Sequence, residues 1–271
     1  MAEPTMATGA CLVEEELMQY FLTVDGQPGT RVLEDGAAVS VRTPHVDRNR
    51  IFRARLHPDT ADDEIARLLQ PFRRDLVPVT WYVDECSTPS DLGARLVRQG
   101  MELRYLWTGM VRAMGEQPAV GEIPSNLHVT EAVTVQDREA WMHLVLEGFG
   151  LAQFHDLEPL LVETGVASGR WHRLTAFQDD TPIGGALLFA GDGVAGLHWL
   201  GVPQMFRKRG AGVLLTCESI AVAARLGYTN LVLQANPDVV QLYLRLGFVT
   251  TGDIALFDWR PGIGSLTIEP D

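Results

Sequence analysis

The stretch from Val194 to Gly227 restricts the fold more than any other part of the 271-residue chain. It opens with an apolar run, Val194 to Val202, of the length of a buried strand. It closes with a helical face made of Val213, Leu214, Cys217, Ile220, Ala221 and Ala224, and Gly227 is a suitable stop. Between the two stands Arg207-Lys208-Arg209-Gly210-Ala211-Gly212. Glycine lets the backbone come close to a ligand. The unbonded N–H groups at the start of a helix favour an anion, and three cationic side chains add to that field. Strand, glycine-rich turn and helix together predict a pyrophosphate cradle. No Gly-Lys-Ser/Thr follows, so it is not a P-loop, and the spacing is not G-x-G-x-x-G.

The elements around this stretch fall into a regular order. Leu127 to Val135 predicts a strand, Gln136 to Gly148 a helix with Trp141, Leu144 and Val145 inward, and Asp156 to Gly165 a second helix. Arg170 to Gln178, Ile183 to Ala190 and Val194 to Val202 predict a three-strand meander. After the helix come Thr229 to Ala235, an apolar run fit for a buried parallel strand, then a helix over Val239 to Leu246 stopped by Gly247, and a last strand from Phe248 to Trp259.

The motif Arg207-x-x-Gly210-x-Gly212 after a strand ending at Val202 resembles the acyl-CoA loop of the GNAT N-acetyltransferase superfamily. A second stretch, Asn236-Pro237 followed by Tyr243-Leu244-Arg245-Leu246-Gly247-Phe248, is similar to that superfamily's Asn…Tyr-x-x-x-Gly-Phe ending. The resemblance covers Leu127 to Trp259. It implies an α/β fold, a mixed and mostly antiparallel sheet flanked by helices. It also implies acyl transfer from acetyl-CoA to an amine, without a metal.

Upstream, Glu14 to Thr23 predicts a short helix with acids in its first turn, and Gly26 to Gly36 reads as turns. Ala37 to Thr43, Arg50 to Leu56, Val77 to Val83 and Glu102 to Ala113 predict strands, with helices over Asp59 to Arg74 and Ser90 to Gln99. This order repeats the later one. Leu96-Val97-Arg98-Gln99-Gly100-Met101 matches Tyr243 to Phe248 in shape. The segment His57-Pro58-Asp59-Thr60-Ala61-Asp62-Asp63-Glu64, in the place of the cradle, has no glycine and is acidic, which repels a pyrophosphate. The expected organisation is therefore a degenerate GNAT-like domain over 1–115, a Gly/Pro-containing linker over 116–126, and a cofactor-binding domain over 127–271. An unrelated α/β domain is the alternative for the first part.

The resemblance assigns roles residue by residue. Backbone N–H groups from Arg207, Lys208, Arg209, Gly210, Ala211 and Gly212 would meet the CoA phosphates, with the Arg207 and Arg209 charges assisting; Lys208 could face solvent instead. The pantetheine arm would pair with backbone at Leu200, Gly201 and Val202, and a backbone donor there could polarise the thioester carbonyl. Asn236 would bind the same arm, or cap the strand end before Pro237. Tyr243 matches the family's general acid for the departing thiolate; its alternative is a packing tyrosine. Attack needs a neutral amine. Strand alternation puts His198 on one face with Gly196, Leu200 and Val202, which makes it the candidate base or a core histidine bonded to backbone. Gly196 stands where the family often has a glutamate. His155 and Asp156 are candidates on the acceptor side, and Gly148-Phe149-Gly150 reads as a turn beside that pocket.

Composition narrows the partners. With 22 basic against 35 acidic residues the net charge is −13, which argues against nucleic acid or an anionic membrane and suits a small cationic or peptide amine. No run is long enough to span a bilayer, and Met1 to Gly9 does not read as a signal peptide. Cys11, Cys86 and Cys217 form neither a metal spacing nor a disulfide framework, so a cytoplasmic protein is expected. The motifs leave the oligomeric state open. A non-catalytic acyl-CoA-binding or regulatory protein is the alternative function.

Overall fold

The computed structural model describes residues 6–23, 29–43, 48–115, 118, 120–153 and 158–262. The chain forms two compact units, each discontinuous in sequence. One contains residues 1–23 and 107–252, the other 24–106 and 253–271. A cut at 116–126 does not separate them, because the strand before that segment and the strand ending near residue 259 each pair with a strand from the other part of the chain.

In the first unit, strands β6 (Leu127–Glu131), β7 (Trp171–Gln178), β8 (Thr181–Ala190) and β9 (Ala195–Gly201) run antiparallel in sequence order. β10 (Asn230–Ala235) then joins β9 in parallel. The far edge of β10 is taken by β5 (Glu102–Ala113), antiparallel, with Thr108 opposite Ala235 and Ala113 opposite Asn230. Helix α6 (Ala211–Arg225) makes the crossover between β9 and β10, and α7 (Val240–Arg245) follows β10. One face of the sheet packs on α6 through Leu188, Ala195, Leu197, Leu231 and Leu233. α4 (Val135–Gly148) packs on β8 and β9, and α1 (Met6–Leu22) on β9 and β10.

The second unit repeats this plan. β1 (Arg31–Glu34), β2 (Val39–Arg42) and β3 (Arg50–Phe52) are antiparallel neighbours, and β3 pairs in parallel with β4 (Val79–Val83). Helix α2 (Ala61–Arg74) makes that crossover and buries Ile65, Leu68, Leu69 and Phe72, with α3 (Leu92–Arg98) beside it. β11 (Val249–Trp259) closes β4, with Ala255 opposite Val83 and Trp259 opposite Val79. The remaining helix, α5 (Glu158–Glu163), belongs to the first unit.

Several sequence expectations are corrected. α1 begins at Met6, not Glu14, so its three glutamates lie in mid-helix, where Glu14 and Glu16 are buried. The turn-rich segment before Ala37 contains β1. β3 ends at Phe52, short of Leu56, because Arg53 adopts φ 57°, a left-handed conformation that breaks an extended strand. His155 and Asp156 lie outside the described residues.

Candidate acyl-donor and proton-transfer site

The β9–β10 ladder covers Ala195, Gly196 and Leu197 opposite Leu231, Val232 and Leu233. Beyond Leu197 the backbone of β9 leaves this ladder. The cause lies on its other side, where Leu187 pairs with His198 but Gly185 pairs with Gly201. One extra residue of β9 is therefore a bulge, and Trp199 within it has φ 49°. A bulge bends its strand and re-aims the side chains that follow. It also resets the alternation. Leu200 and Val202 pack with Ala195 and Leu197 on the α6 side, while His198 meets α1. The expectation that His198, Leu200 and Val202 share a face fails for this reason.

The tip of β9 is held by close backbone approach of α4. A Cβ on Gly148 would lie 2.6 Å from the Val202 nitrogen, and one on Gly201 would lie 2.7 Å from the Val145 carbonyl oxygen. Gly148 thus ends a helix seated on the strand, which explains its residue type better than a turn does.

The cradle follows directly. Gln204–Phe206 form a short 3-10 turn, Lys208 has φ 63°, and Gly210 caps α6 with φ 95°. Gly212 differs: a Cβ there would meet only Leu200 Cδ2 and Leu242 Cδ2, both at 3.8 Å. Both are ordinary contacts, so packing inside the protein does not require glycine at 212. The Arg207 and Arg209 side chains are turned back onto the protein. Arg207 donates to the carbonyls of Val202 (3.1 Å) and Gly148 (2.9 Å). Arg209 donates to Gln178 Oε1 (3.1 Å) and the Met205 carbonyl (3.0 Å). They brace the loop against β9 and α4, and their charge stays beside the helix N-terminus. Lys208 is exposed, and Ala211 is buried in the core.

Asn236 is exposed at the end of β10, and its side chain makes no cap hydrogen bond to the 3-10 turn that follows. Tyr243 is only 7% exposed and stands edge-on to Phe248 at 5.7 Å in the core shared with α6. Burial pushes its phenol above the ordinary value of 10.0, so it holds its proton throughout the neutral range.

His198 has a partner absent from the sequence reading. Its Nε2 lies 2.7 Å from Oε1 of Glu16, whose side chain is fully buried. Tyr20, one turn further along α1, stacks on the imidazole at 4.0 Å, and its hydroxyl accepts from Trp199 Nε1 at 2.6 Å. Gln19 ties the same turn of helix to the β8–β9 hairpin through the backbone of Asp192. The signal for Glu16 was present in the sequence: it stands three residues after Val13 and four before Tyr20, on an apolar stripe.

Two arginines not singled out from the sequence are also buried. Arg173 donates to the carbonyls of Leu161 and Thr164, and Arg138 to those of Val162 and Val133. They hold the α5 region against β7 and α4. Burial, with Arg138 nearby, lowers the Arg173 pKa to about 10. Among the described residues there is no cluster suited to a metal ion, and no helix is long and apolar enough to cross a membrane.

Residues 138–248 match the model of the Acetyltransferase (GNAT) family. That span holds the bulged strand, the cradle, α6 and Tyr243. The fold as a whole is similar to a GCN5-related N-acetyltransferase from Kribbella flavida (TM-score 0.75, 18% identity, 97% of this chain and 98% of that one). It is also similar to a GCN5-related N-acetyltransferase from Sphaerobacter thermophilus (TM-score 0.59, 18% identity, 97% and 96%). A tandem GNAT protein from the clavulanic acid biosynthesis pathway aligns at TM-score 0.57 and 14% identity, over 97% and 92%. No curated protein matches the chain. The fold is thus a mixed α/β GNAT-like fold, a mixed sheet flanked by helices.

Proposed function

We propose that this protein is an N-acetyltransferase that moves an acetyl group from acetyl-CoA to an amine. The observation that carries the reading is the parting of β9 from β10 beyond Leu197, directly ahead of a helix N-terminus capped by Gly210 at φ 95°. The residues present fit the donor. N–H groups of Gly210, Ala211 and Gly212 suit its phosphates. The backbone of Leu200, Gly201 and Val202, past the end of the β10 ladder, suits its amide-bearing arm, and Asn236 offers a further contact.

In this reading His198 accepts a proton from the acceptor ammonium, giving the neutral amine. The amine nitrogen bonds to the thioester carbonyl carbon, and a backbone N–H near the β9 bulge stabilises the charge on oxygen. The carbon–sulfur bond then breaks, the nitrogen sheds its second proton to solvent to leave the neutral amide, and Tyr243 gives its proton to the departing thiolate. Tyr243 and His198 return to their starting states by exchange with solvent, so one proton is released for each amide formed. The acceptor is a small cationic or peptide amine, in keeping with the charge of −13. The repeated strand plan of the second unit, with no glycine from His57 to Thr60, supports a tandem arrangement in which the donor binds once.

Calorimetric titration with acetyl-CoA tests this. One site is expected, lost in a folded Gly210→Asp/Gly212→Asp variant. Two sites would overturn the single-donor arrangement, and no binding would sink the acetyltransferase reading. Binding without transfer to any amine would favour an acyl-CoA-binding regulatory protein.

A further inference from the structure

We infer that Glu16, delivered by α1, is the positioning residue for His198. Its carboxylate fixes the imidazole so that Nε2 carries the proton and Nδ1 is left as the basic nitrogen. The inference rests on the reading of His198 as base, and three observations carry it.

The first is contact. Glu16 Oε1 lies 2.7 Å from His198 Nε2, and in the proposed state Nε2 is the donor, since an ionised carboxylate only accepts hydrogen bonds. The second is space. A Cβ on residue 196 would overlap the Glu16 carboxyl group itself. Glycine at 196 is therefore what lets a carboxylate from another element lie against β9. The third is incomplete satisfaction. Glu16 Oε2 is buried without a hydrogen-bond partner among the described residues. A carboxylate kept only for stability gains most when both oxygens are paired, since a buried unpaired acceptor is costly.

The surroundings are built to hold this geometry. Gln19 anchors the helix to Asp192 just beyond Glu16. Tyr20 clamps the ring by stacking, and the bulge at Trp199 ends the strand's regular pleat beside it. Ring rotation is thus blocked from one side while the carboxylate selects the tautomer.

The test uses the full chain, Glu16→Gln, and the double variant Glu16→Ala/Gly196→Asp. The double variant returns a carboxylate to the same space from the strand. Nitrogen-15 NMR of the imidazole near neutral pH reads the tautomer without any substrate. The expected result is Nε2–H in the wild type, a mixture of tautomers in Glu16→Gln, whose amide donates as well as accepts, and return of the Nε2–H form in the double variant. In acetyl transfer, Glu16→Gln should lower kcat by roughly a hundredfold with the donor KM within about threefold, as removal of oriented base catalysis does. The double variant should recover at least about tenfold of that loss. Unchanged tautomer and kcat in Glu16→Gln would overturn the inference. Should Glu16→Gln not fold, the double variant decides through its tautomer. A wild type with the Nε2–H tautomer but no transfer to any amine would instead refute the acetyltransferase reading, leaving the Glu16–His198 geometry standing.

Discussion

Arg112 on β5 donates from Nε to the carbonyl of Leu246 at 2.9 Å, tying the strand that closes β10 to the end of the helix bearing Tyr243. The guanidinium also lies against Gly247, whose φ is 82° and whose Cβ, were there one, would come 3.2 Å from Nε. Burial lowers the Arg112 pKa from its usual value. Arg112→Met should strand the Leu246 carbonyl at a cost of about 1–3 kcal/mol. Thermal unfolding should register that loss, and CoA release should slow because Tyr243 loses its support. An unchanged melting temperature would show that the bond is dispensable.

Gly210 and Gly212 should separate under alanine substitution. Gly210→Ala forces a side chain into φ 95° and should destabilise the fold by about 1–2 kcal/mol. Gly212→Ala adds a methyl that only touches two leucines, so stability should hold or rise by a few tenths of a kcal/mol. Acetyl-CoA affinity should nevertheless fall about tenfold in Gly212→Ala, because the methyl fills space proposed for phosphate. Unaltered affinity would move the phosphates elsewhere.

Gly148→Ala should be costly for a different reason. The new methyl would press on the backbone of Gly201 and Val202, which cannot rotate away. Overpacking of this kind costs about 1–3 kcal/mol. Since Arg207 bonds the Gly148 carbonyl as well, donor affinity should fall together with stability. Denaturant unfolding and calorimetry would show whether the two losses track each other.

Tyr243→Phe should leave the fold intact at neutral pH and slow CoA release by roughly 10²-fold, the scale of acid–base assistance. The raised phenol pKa adds a pH signature. Below about pH 10 both folded and unfolded tyrosine are protonated, so Tyr243 makes stability no pH-dependent difference. Above it the unfolded chain ionises first and the native state loses stability as pH rises toward the folded pKa. The wild type should therefore lose more stability than Tyr243→Phe between pH 9 and about 11 in paired denaturant titrations. Equal alkaline limbs would mean the phenol is not buried in solution.

What the sequence made legible was local. The strand, cradle and helix from Ala195 to Arg225 are written in neighbouring residues, as is the helix stop at Gly247. The bulge was hidden because tryptophan at 199 carries no sign of a positive φ, and that single residue moved Leu200 and Val202 to the other face. Glu16 could be placed on an apolar stripe, but its pairing was hidden because its partner, His198, lies 182 residues away. Arg138 and Arg173 were hidden because their acceptors are backbone carbonyls, which no residue type announces.

The closing strands give the chain an unequal birth. As it leaves the ribosome, β5 is already made when β10 emerges, so these two strands can pair at once. β4, with Trp81 and Tyr82, must wait for β11, more than 160 residues later, before its second edge is paired. An unpaired edge on a half-made sheet is the kind of surface that invites aggregation. The nascent protein should therefore depend on holding chaperones through almost the whole of its translation, and stop codons placed before Ala255 should yield chains that are synthesised but not kept.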